Sequence, residues 1–205
     1  MLPLKAVVRF FLLAMGIYVL LILPWPGVRE VYRDLYLWTG RALFQYYGYA
    51  GLVNFKAGAS DLDKDATIEM GRRGVRSGQA LQINTGRLGY APTACLIALV
   101  LATPIPWLRR LCAFVCGLIL VNLFVISRLW LALLFSYCRP TPCRLYDPAP
   151  FWAKLLTGCY EFFFNAPTCS FLIPAFIWVL VSLRREDFSR ILARVRSLTD
   201  GTGTD

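Results

Sequence analysis

The stretch VNLFVISRLWLALLF, residues 121–135, decides how the fold of this chain is interpreted. It lies in the longest apolar run of the sequence, 111–135, and Arg128 is the one charged residue of that run. A helix needs about 20 apolar residues to cross a bilayer, and an arginine at the bilayer centre costs at least ~2.5–3.5 kcal/mol. The run therefore predicts a membrane-spanning helix. In that helix Arg128 has a partner, faces a water-filled cavity, or extends its side chain to a nearby membrane boundary.

The composition of the whole chain is typical of a membrane protein. Hydrophobic residues make up 58% of the 205 residues and charged residues 17%, with a mean hydropathy of +0.55. Soluble domains are closer to half apolar and one quarter charged. The formal charge of +10 comes from basic residues at the ends of apolar runs. This pattern indicates membrane-flanking cations and argues against nucleic acid as a partner. The chain has no histidine, which excludes a histidine-based triad or a histidine-ligated metal, and we expect no cofactor.

Four apolar runs are long enough to cross a bilayer as helices. They predict an all-α polytopic membrane protein with about four transmembrane helices, at 7–25, 89–107, 111–135 and 162–183. The first run lies in the segment 1–25 and is followed by Pro26 rather than by a small-residue cleavage site. It therefore indicates a retained transmembrane helix more than a cleaved signal peptide.

The short loops set the expected orientation, because basic residues in short loops stay on the cytoplasmic side. The loop Leu108-Arg109-Arg110, between the second and third runs, is therefore expected inside. Four spans then put both ends of the chain inside, N-in and C-in. The tail, 184–205, has apolar residues on one helical face and arginines opposite, which predicts an amphipathic helix on the cytoplasmic surface.

The segment 26–88 is expected outside the membrane and has two halves. The first, 28–49, has apolar residues near helical spacing and many aromatic residues, which predicts an interfacial helix. The second alternates in ATIEM, 66–70, and in ALQINT, 80–85, with glycines between them. This alternation predicts a small extracytoplasmic β-hairpin over the membrane.

The transmembrane core, 89–183, is expected to carry an outer loop at 136–161 that is rich in cysteine. A loop on that side of the membrane permits disulfide bonds. The candidates leave three pairings open, and they are Cys138, Cys143, Cys159 and Cys169. We favour a structural staple over a redox-active pair. Cys112 and Cys116 are interpreted as small apolar residues of the third run.

A candidate site is predicted where polar residues of three spans come within side-chain reach, since an arginine side chain covers most of the roughly 9 Å between the depths of Cys95 and Arg128. At ~1.5 Å per residue, Cys95 lies about 18 Å and Arg128 about 27 Å above the inner ends of their spans. Tyr160, Glu161 and Asn165 come at the outer end of the fourth span. A neighbouring cation lowers the pKa of a thiol and so favours the nucleophilic thiolate, and it can also stabilise an oxyanion. Glu161 or Tyr160 would then exchange protons, and Asn165 would orient a group. The alternative is that Arg128 only extends to the membrane boundary.

Two stretches, GYAPTACLIALVLATPIPWLRRL and VNLFVISRLW, resemble the core of the exosortase/archaeosortase family. The resemblance covers roughly 81–180. Cys95, with Tyr90 and Pro92 ahead of it, is similar to the family's cysteine, and Asn122 and Arg128 resemble its asparagine–arginine pair. The resemblance implies a membrane-embedded cysteine transpeptidase or peptidase. Such an enzyme processes C-terminal sorting signals of exported proteins at the outer face of the bacterial inner membrane.

The sequence also departs from the family pattern. Leu96 and Ile97 follow the cysteine where the family usually has a small residue, and Tyr160 or Asn165 stands where its third residue is usually histidine or arginine. The first stretch also resembles small exosortase-associated membrane proteins without the catalytic set. The alternative function is therefore a non-catalytic partner that binds a sorting-signal helix or braces a companion exosortase. Membrane lipid is an expected partner under both hypotheses.

Overall fold

The computed structural model describes residues 4–23, 25, 27–61, 64–75, 78–141, 143–165 and 169–182. Six α-helices, four strands and two short π-helices make up this part of the chain. The α-helices are α1 Leu4–Ile22, α2 Val28–Phe44, α3 Ala91–Ala102, α4 Trp107–Cys138, α5 Pro150–Tyr160 and α6 Cys169–Ser182. The strands are β1 Tyr46–Tyr47, β2 Gly51–Asp61, β3 Lys64–Arg72 and β4 Gln79–Ile83. The first π-helix, Gly86–Tyr90, precedes α3, and the second, Glu161–Asn165, follows α5.

The strands form one antiparallel sheet in the order β1-β2-β3-β4. Phe55 of β2 lies opposite Ile68 of β3, which in turn lies opposite Leu81 of β4. Alternate residues of each strand point to the same face, and Phe55, Ile68 and Met70 are buried on the inner one. The sheet therefore packs its apolar face against the helices.

The core has two parts, and α4 belongs to both. The outer core joins the sheet to α2 and to the second half of α4, where Val125, Leu129, Leu133 and Tyr137 are buried. The inner core joins α3, the first half of α4 and α6, through Leu96, Val100, Ala113, Val121 and Ile177. Arg128 lies where the two cores meet.

The prediction of an all-α fold is wrong, because the chain contains the four-stranded sheet. β3 and β4 include ATIEM and most of ALQINT, yet they are half of a larger sheet and not an isolated hairpin. The missed element is β2, which pairs with β3 along most of its length. The helix predicted over 28–49 ends at Phe44, and the chain then turns back through β1 into β2.

The prediction of four membrane-spanning helices is also wrong. Among the described residues, only α4 is by itself long and apolar enough to cross a bilayer. The apolar parts of the first and second runs, Val7–Ile22 and Gly86–Ala102, are shorter. A helix of 17 residues is about 25 Å long, less than the roughly 30 Å of a hydrocarbon core. The fourth run is divided between Pro150–Phe164 and Cys169–Ser182, which are bent by 83° and count as a second span only if taken together.

The first half of α4 exposes one apolar face. This face repeats every three or four residues and consists of Leu108, Leu111, Val115, Ile119 and Leu123. Such spacing places the side chains in one stripe along the helix. The predicted tail helix, 184–205, lies outside the described residues. The N-in and C-in orientation stays a prediction.

Candidate functional site

Arg128 is buried, with 4% of its surface exposed, and its guanidinium binds oxygen atoms from three other elements. Nη2 donates to the carbonyl of Phe163 at 2.6 Å. Nη1 donates to the carbonyl of Leu88 at 3.3 Å and to Oγ of Ser170 at 3.4 Å. The planar guanidinium thus connects α4 to both π-helices and to the first turn of α6. Its Nε has no hydrogen-bond partner among the described residues.

The two main-chain acceptors of Arg128 both belong to π-helices. Leu88 lies in the first π-helix and Phe163 in the second. A π-helix uses i→i+5 hydrogen bonds, is rare, and mostly occurs as a single turn, frequently at functional sites. Here the two π-helices turn carbonyl oxygens toward one cation. Arg128 therefore organises the junction between the two cores.

A column of stacked aromatic rings connects Arg128 to Arg139. The Arg128 guanidinium lies 5.3 Å from the ring centroid of Phe164, which stacks on Tyr160 at 4.7 Å. Tyr160 stacks on Phe135 at 4.1 Å, and Arg139 lies 4.6 Å from the Phe135 ring. The column ties the second π-helix and the end of α5 to α4. Both arginines are attracted by the faces of the rings they cover.

Cys95, the predicted nucleophile, does not pair with Arg128 among the described residues. It is half-buried on α3 and makes no hydrogen bond to a residue that the structure describes. Its electrostatic neighbour is Tyr18 of α1. The titratable groups that interact with the Arg128 guanidinium are instead Tyr36 and Cys169. The two residues expected to form the site are thus in different surroundings.

The thiol beside Arg128 belongs to Cys169. It is 1% exposed, and its Sγ donates to the carbonyl of Phe162 at 3.2 Å. No nucleophile is expected from a thiol so enclosed, because it lacks access to a substrate. The other predicted site residues do not complete a set around Arg128. Glu161 is exposed, Tyr160 stacks between two rings, and the side chain of Asn165 lies outside the described residues.

Tyr36 is a residue of this junction that the sequence analysis missed. Its side chain is buried, and burial raises the pKa of its hydroxyl, while the nearby Arg128 opposes that rise. Tyr36 also lines a cleft of about 200 Å³ between α2 and α4. The four-residue spacing from Tyr36 to Gly40 and Phe44, all buried, is the signal that marks the inner face of α2.

All four disulfide candidates are thiols in this structure. Cys143 is buried in the outer core, where its Sγ contacts the carbonyl of Met70 at 3.7 Å. Cys138 and Cys159 line one groove between α4 and α5. The pairing of these cysteines stays a prediction.

Comparisons of the chain with protein-family models, with curated proteins and with solved structures gave no significant match.

Proposed function

We propose that this chain is an exosortase-like integral membrane protein that acts as a non-catalytic partner. It binds or braces a sorting machinery at the outer face of a bacterial inner membrane. The observation that carries the proposal is the occupancy of the Arg128 guanidinium, which donates to two carbonyl oxygens and one hydroxyl of its own chain. An arginine that stabilises an oxyanion must direct its N–H groups at the position where the charge develops. Those of Arg128 are directed at oxygen atoms of its own chain.

The surroundings of the predicted acid and base support the same proposal. Tyr160 has both ring faces covered by Phe135 and Phe164. Glu161 is exposed, and among the described residues no carboxylate interacts electrostatically with Cys95. A thiol without a base or a cation stays in its protonated, weakly nucleophilic form. The residues around Arg128 therefore support a structural role better than a catalytic one.

The second candidate is the cysteine transpeptidase or peptidase that the family resemblance implies. One observation favours it: Cys95 is half-buried and not hydrogen-bonded to a described residue, and Tyr18 lies near it. In that case Cys95 would attack a carbonyl of the sorting signal, and Arg128 would hold the site together without touching the substrate.

Replacement of Cys95 by alanine separates the two candidates. The gene is deleted in its host and restored as wild type, Cys95→Ala or Cys112→Ala, and the fraction of processed C-terminal sorting signals is measured by quantitative proteomics. Cys112, an exposed thiol on α4, supplies the matched control. We expect Cys95→Ala to restore processing as well as the control does, because a partner needs no nucleophile.

Two outcomes would contradict the proposal. Loss of processing in Cys95→Ala, with normal abundance of the chain in the membrane fraction, would establish the enzyme. Full processing in the deletion strain itself would remove both candidates, since neither a partner nor an enzyme would then be required.

A further inference from the structure

An apolar groove of about 480 Å³ runs between α4 and α5. One wall comes from Trp130, Leu131 and Leu134 of α4, and the other from Trp152, Leu155 and Leu156 of α5. These six side chains give the groove walls of hydrocarbon and indole. Cavities with such walls bind apolar ligands, and a few polar groups at the mouth fix the orientation of the ligand.

Helix α5 leaves most of its apolar surface without a partner. None of its 11 residues is buried, and Phe151, Trp152 and Leu155 are 69%, 60% and 47% exposed. The contact with α4 is made at its end, where Tyr160 stacks on Phe135. Before that end, the groove between the two helices stays open. Contiguous apolar surface of this kind indicates a binding site.

One end of the groove carries an ion pair. Asp147 lines the groove, and Arg144 pairs with its carboxylate while donating from Nε to the carbonyl of Tyr146 at 3.2 Å. Both groups remain accessible, with 40% of the Arg144 side chain and 82% of the Asp147 side chain exposed. A cation and a carboxylate side by side complement a phosphate and an ammonium group on one ligand.

The groove lies at the depth of lipid headgroups if α4 crosses the membrane. Trp130 is about 30 Å along the helix from Arg110, at ~1.5 Å per residue, and a hydrocarbon core is roughly 30 Å thick. Trp130 would then lie at the outer boundary, where tryptophan is enriched. By the same measure Leu131 and Leu134 lie about 32 and 36 Å from Arg110, so the groove begins at this boundary and extends outward into the headgroup layer.

We propose that this groove binds one phospholipid with an amine headgroup, with an acyl chain between α4 and α5, its phosphate against Arg144 and its ammonium against Asp147. The site rests on the membrane placement in the proposed function, but not on whether the chain is a partner or an enzyme. A bound lipid would fill the space between the two helices and give α5 the apolar contacts it lacks.

The test is native mass spectrometry of the full chain after reconstitution with phosphatidylethanolamine, phosphatidylcholine or phosphatidylglycerol of identical acyl chains. We expect one retained phosphatidylethanolamine per chain. Leu155→Trp, which fills the groove, should weaken retention about tenfold, and Phe151→Trp, on α5 but not lining the groove, should leave it unchanged. Asp147→Asn should abolish the preference for phosphatidylethanolamine over phosphatidylcholine and leave binding otherwise intact.

Leu134→Trp fills the groove from the α4 side and serves if Leu155→Trp does not fold, which circular dichroism reports. Equal lipid retention in wild type and a folded groove-filling variant would overturn the proposal, as would a wild type without headgroup preference. A dimer that the groove-filling variants dissociate would assign the groove to a second copy of the chain and overturn it too. A wild type that stays in solution without detergent and retains no lipid would instead refute the membrane placement.

Discussion

Arg128 is stable in an apolar helix because, within the described part of the chain, its charge is met by fixed dipoles rather than by a carboxylate. Two carbonyl oxygens and a hydroxyl accept from it, and Phe164 and Phe124 lie 5.3 and 5.6 Å from its guanidinium carbon. Charge-assisted hydrogen bonds are stronger than neutral ones, and a guanidinium is more weakly hydrated than an ammonium group. The desolvation cost of burying it is therefore offset locally.

Replacement of Arg128 by lysine should destabilise the protein. The compact lysine ammonium lacks the planar fork with which Arg128 reaches two carbonyl oxygens at once. Each buried acceptor left unpaired costs about 1–3 kcal/mol. We expect a corresponding loss of unfolding free energy, measured by denaturant titration in detergent. Arg139→Lys is the control, because Arg139 is exposed and its guanidinium lies over the Phe135 ring, so that the replacement removes no buried hydrogen-bond donor. Equal small losses in both variants would contradict a special role for Arg128.

Tyr32 is expected to make the free energy of unfolding fall as the pH rises through the alkaline range. Burial raises its pKa to about 12, although a hydrogen bond with Thr93 opposes this. The unfolded chain therefore loses this proton first, and the stabilisation, about 2–3 kcal/mol, is complete below pH ~10 and lost as the pH rises to about 12. Tyr32→Phe should flatten the decline in a pH series of thermal unfolding, and the exposed Tyr46→Phe should not. An unchanged slope in Tyr32→Phe would refute this account.

The sequence indicates that Arg128 has unusual surroundings, but it does not indicate which. A lone charge in an apolar run requires compensation, and that much follows from composition. Its partners Leu88 and Phe163 lie 40 and 35 residues away and use main-chain oxygens, which every residue has. Depth along ideal helices suggested Cys95 instead. Depth alone does not say on which side of α3 a side chain lies.

At the scale of elements, α2 packs closely on the sheet, because the backbone at Gly40 of α2 approaches the ring of Phe55 in β2. A Cβ at Gly40 would lie 2.6 Å from Cε1 of Phe55. Nearby, Arg41 donates from Nε and Nη2 to the carbonyl of Phe55 at 3.0 and 2.6 Å. The helix thus covers one edge of β2 and satisfies a main-chain acceptor that an edge strand leaves free.

Gly40→Ala should therefore destabilise the protein, by about 1–3 kcal/mol, because Phe55 is fully buried and has little room to move. Gly16→Ala is the matched control, since a Cβ on Gly16 of α1 meets nothing within 4 Å. Alanine has the higher helix propensity, so Gly16→Ala should be neutral or stabilising by up to ~1 kcal/mol. Thermal unfolding of both variants measures the difference. Equal effects would exclude the close packing of α2 on β2.

The missed strand β2 shows where sequence patterns compete. Val53 and Phe55 are buried, and Asn54 and Lys56 between them are exposed, so the alternation of a strand is present. It covers only a few residues and follows directly on the aromatic, helix-spaced segment before it. Pairing with β3 makes this segment a strand rather than a continuation of the helix. Such pairing depends on tertiary context and cannot be read from the local sequence.

At the scale of the molecule, one helix joins two environments. One face of the second half of α4 packs on the sheet and α2, whereas the first half packs on α3 and α6 and exposes an apolar stripe. The apolar run 111–135 predicts a membrane-spanning helix. Apolar residues of its second half, such as Val125, Leu129 and Leu133, are instead buried in the outer core. From composition alone, a helix buried in a core cannot be distinguished from a membrane span.

Ile119→Asp tests whether the exposed stripe of α4 meets hydrocarbon. Ile119 belongs to the stripe and is 63% exposed, so in water a carboxylate there would cost little. In a bilayer it would cost about 2.5–3.5 kcal/mol on the insertion scale. We expect Ile119→Asp to reduce the membrane-integrated fraction, measured by alkaline extraction, severalfold. The control is Val75→Asp, because Val75 is 37% exposed beside the sheet and far from the stripe in the chain. Full membrane integration of Ile119→Asp would mean that α4 does not present this face to lipid, and the placement of the outer groove at headgroup depth would then fail with it.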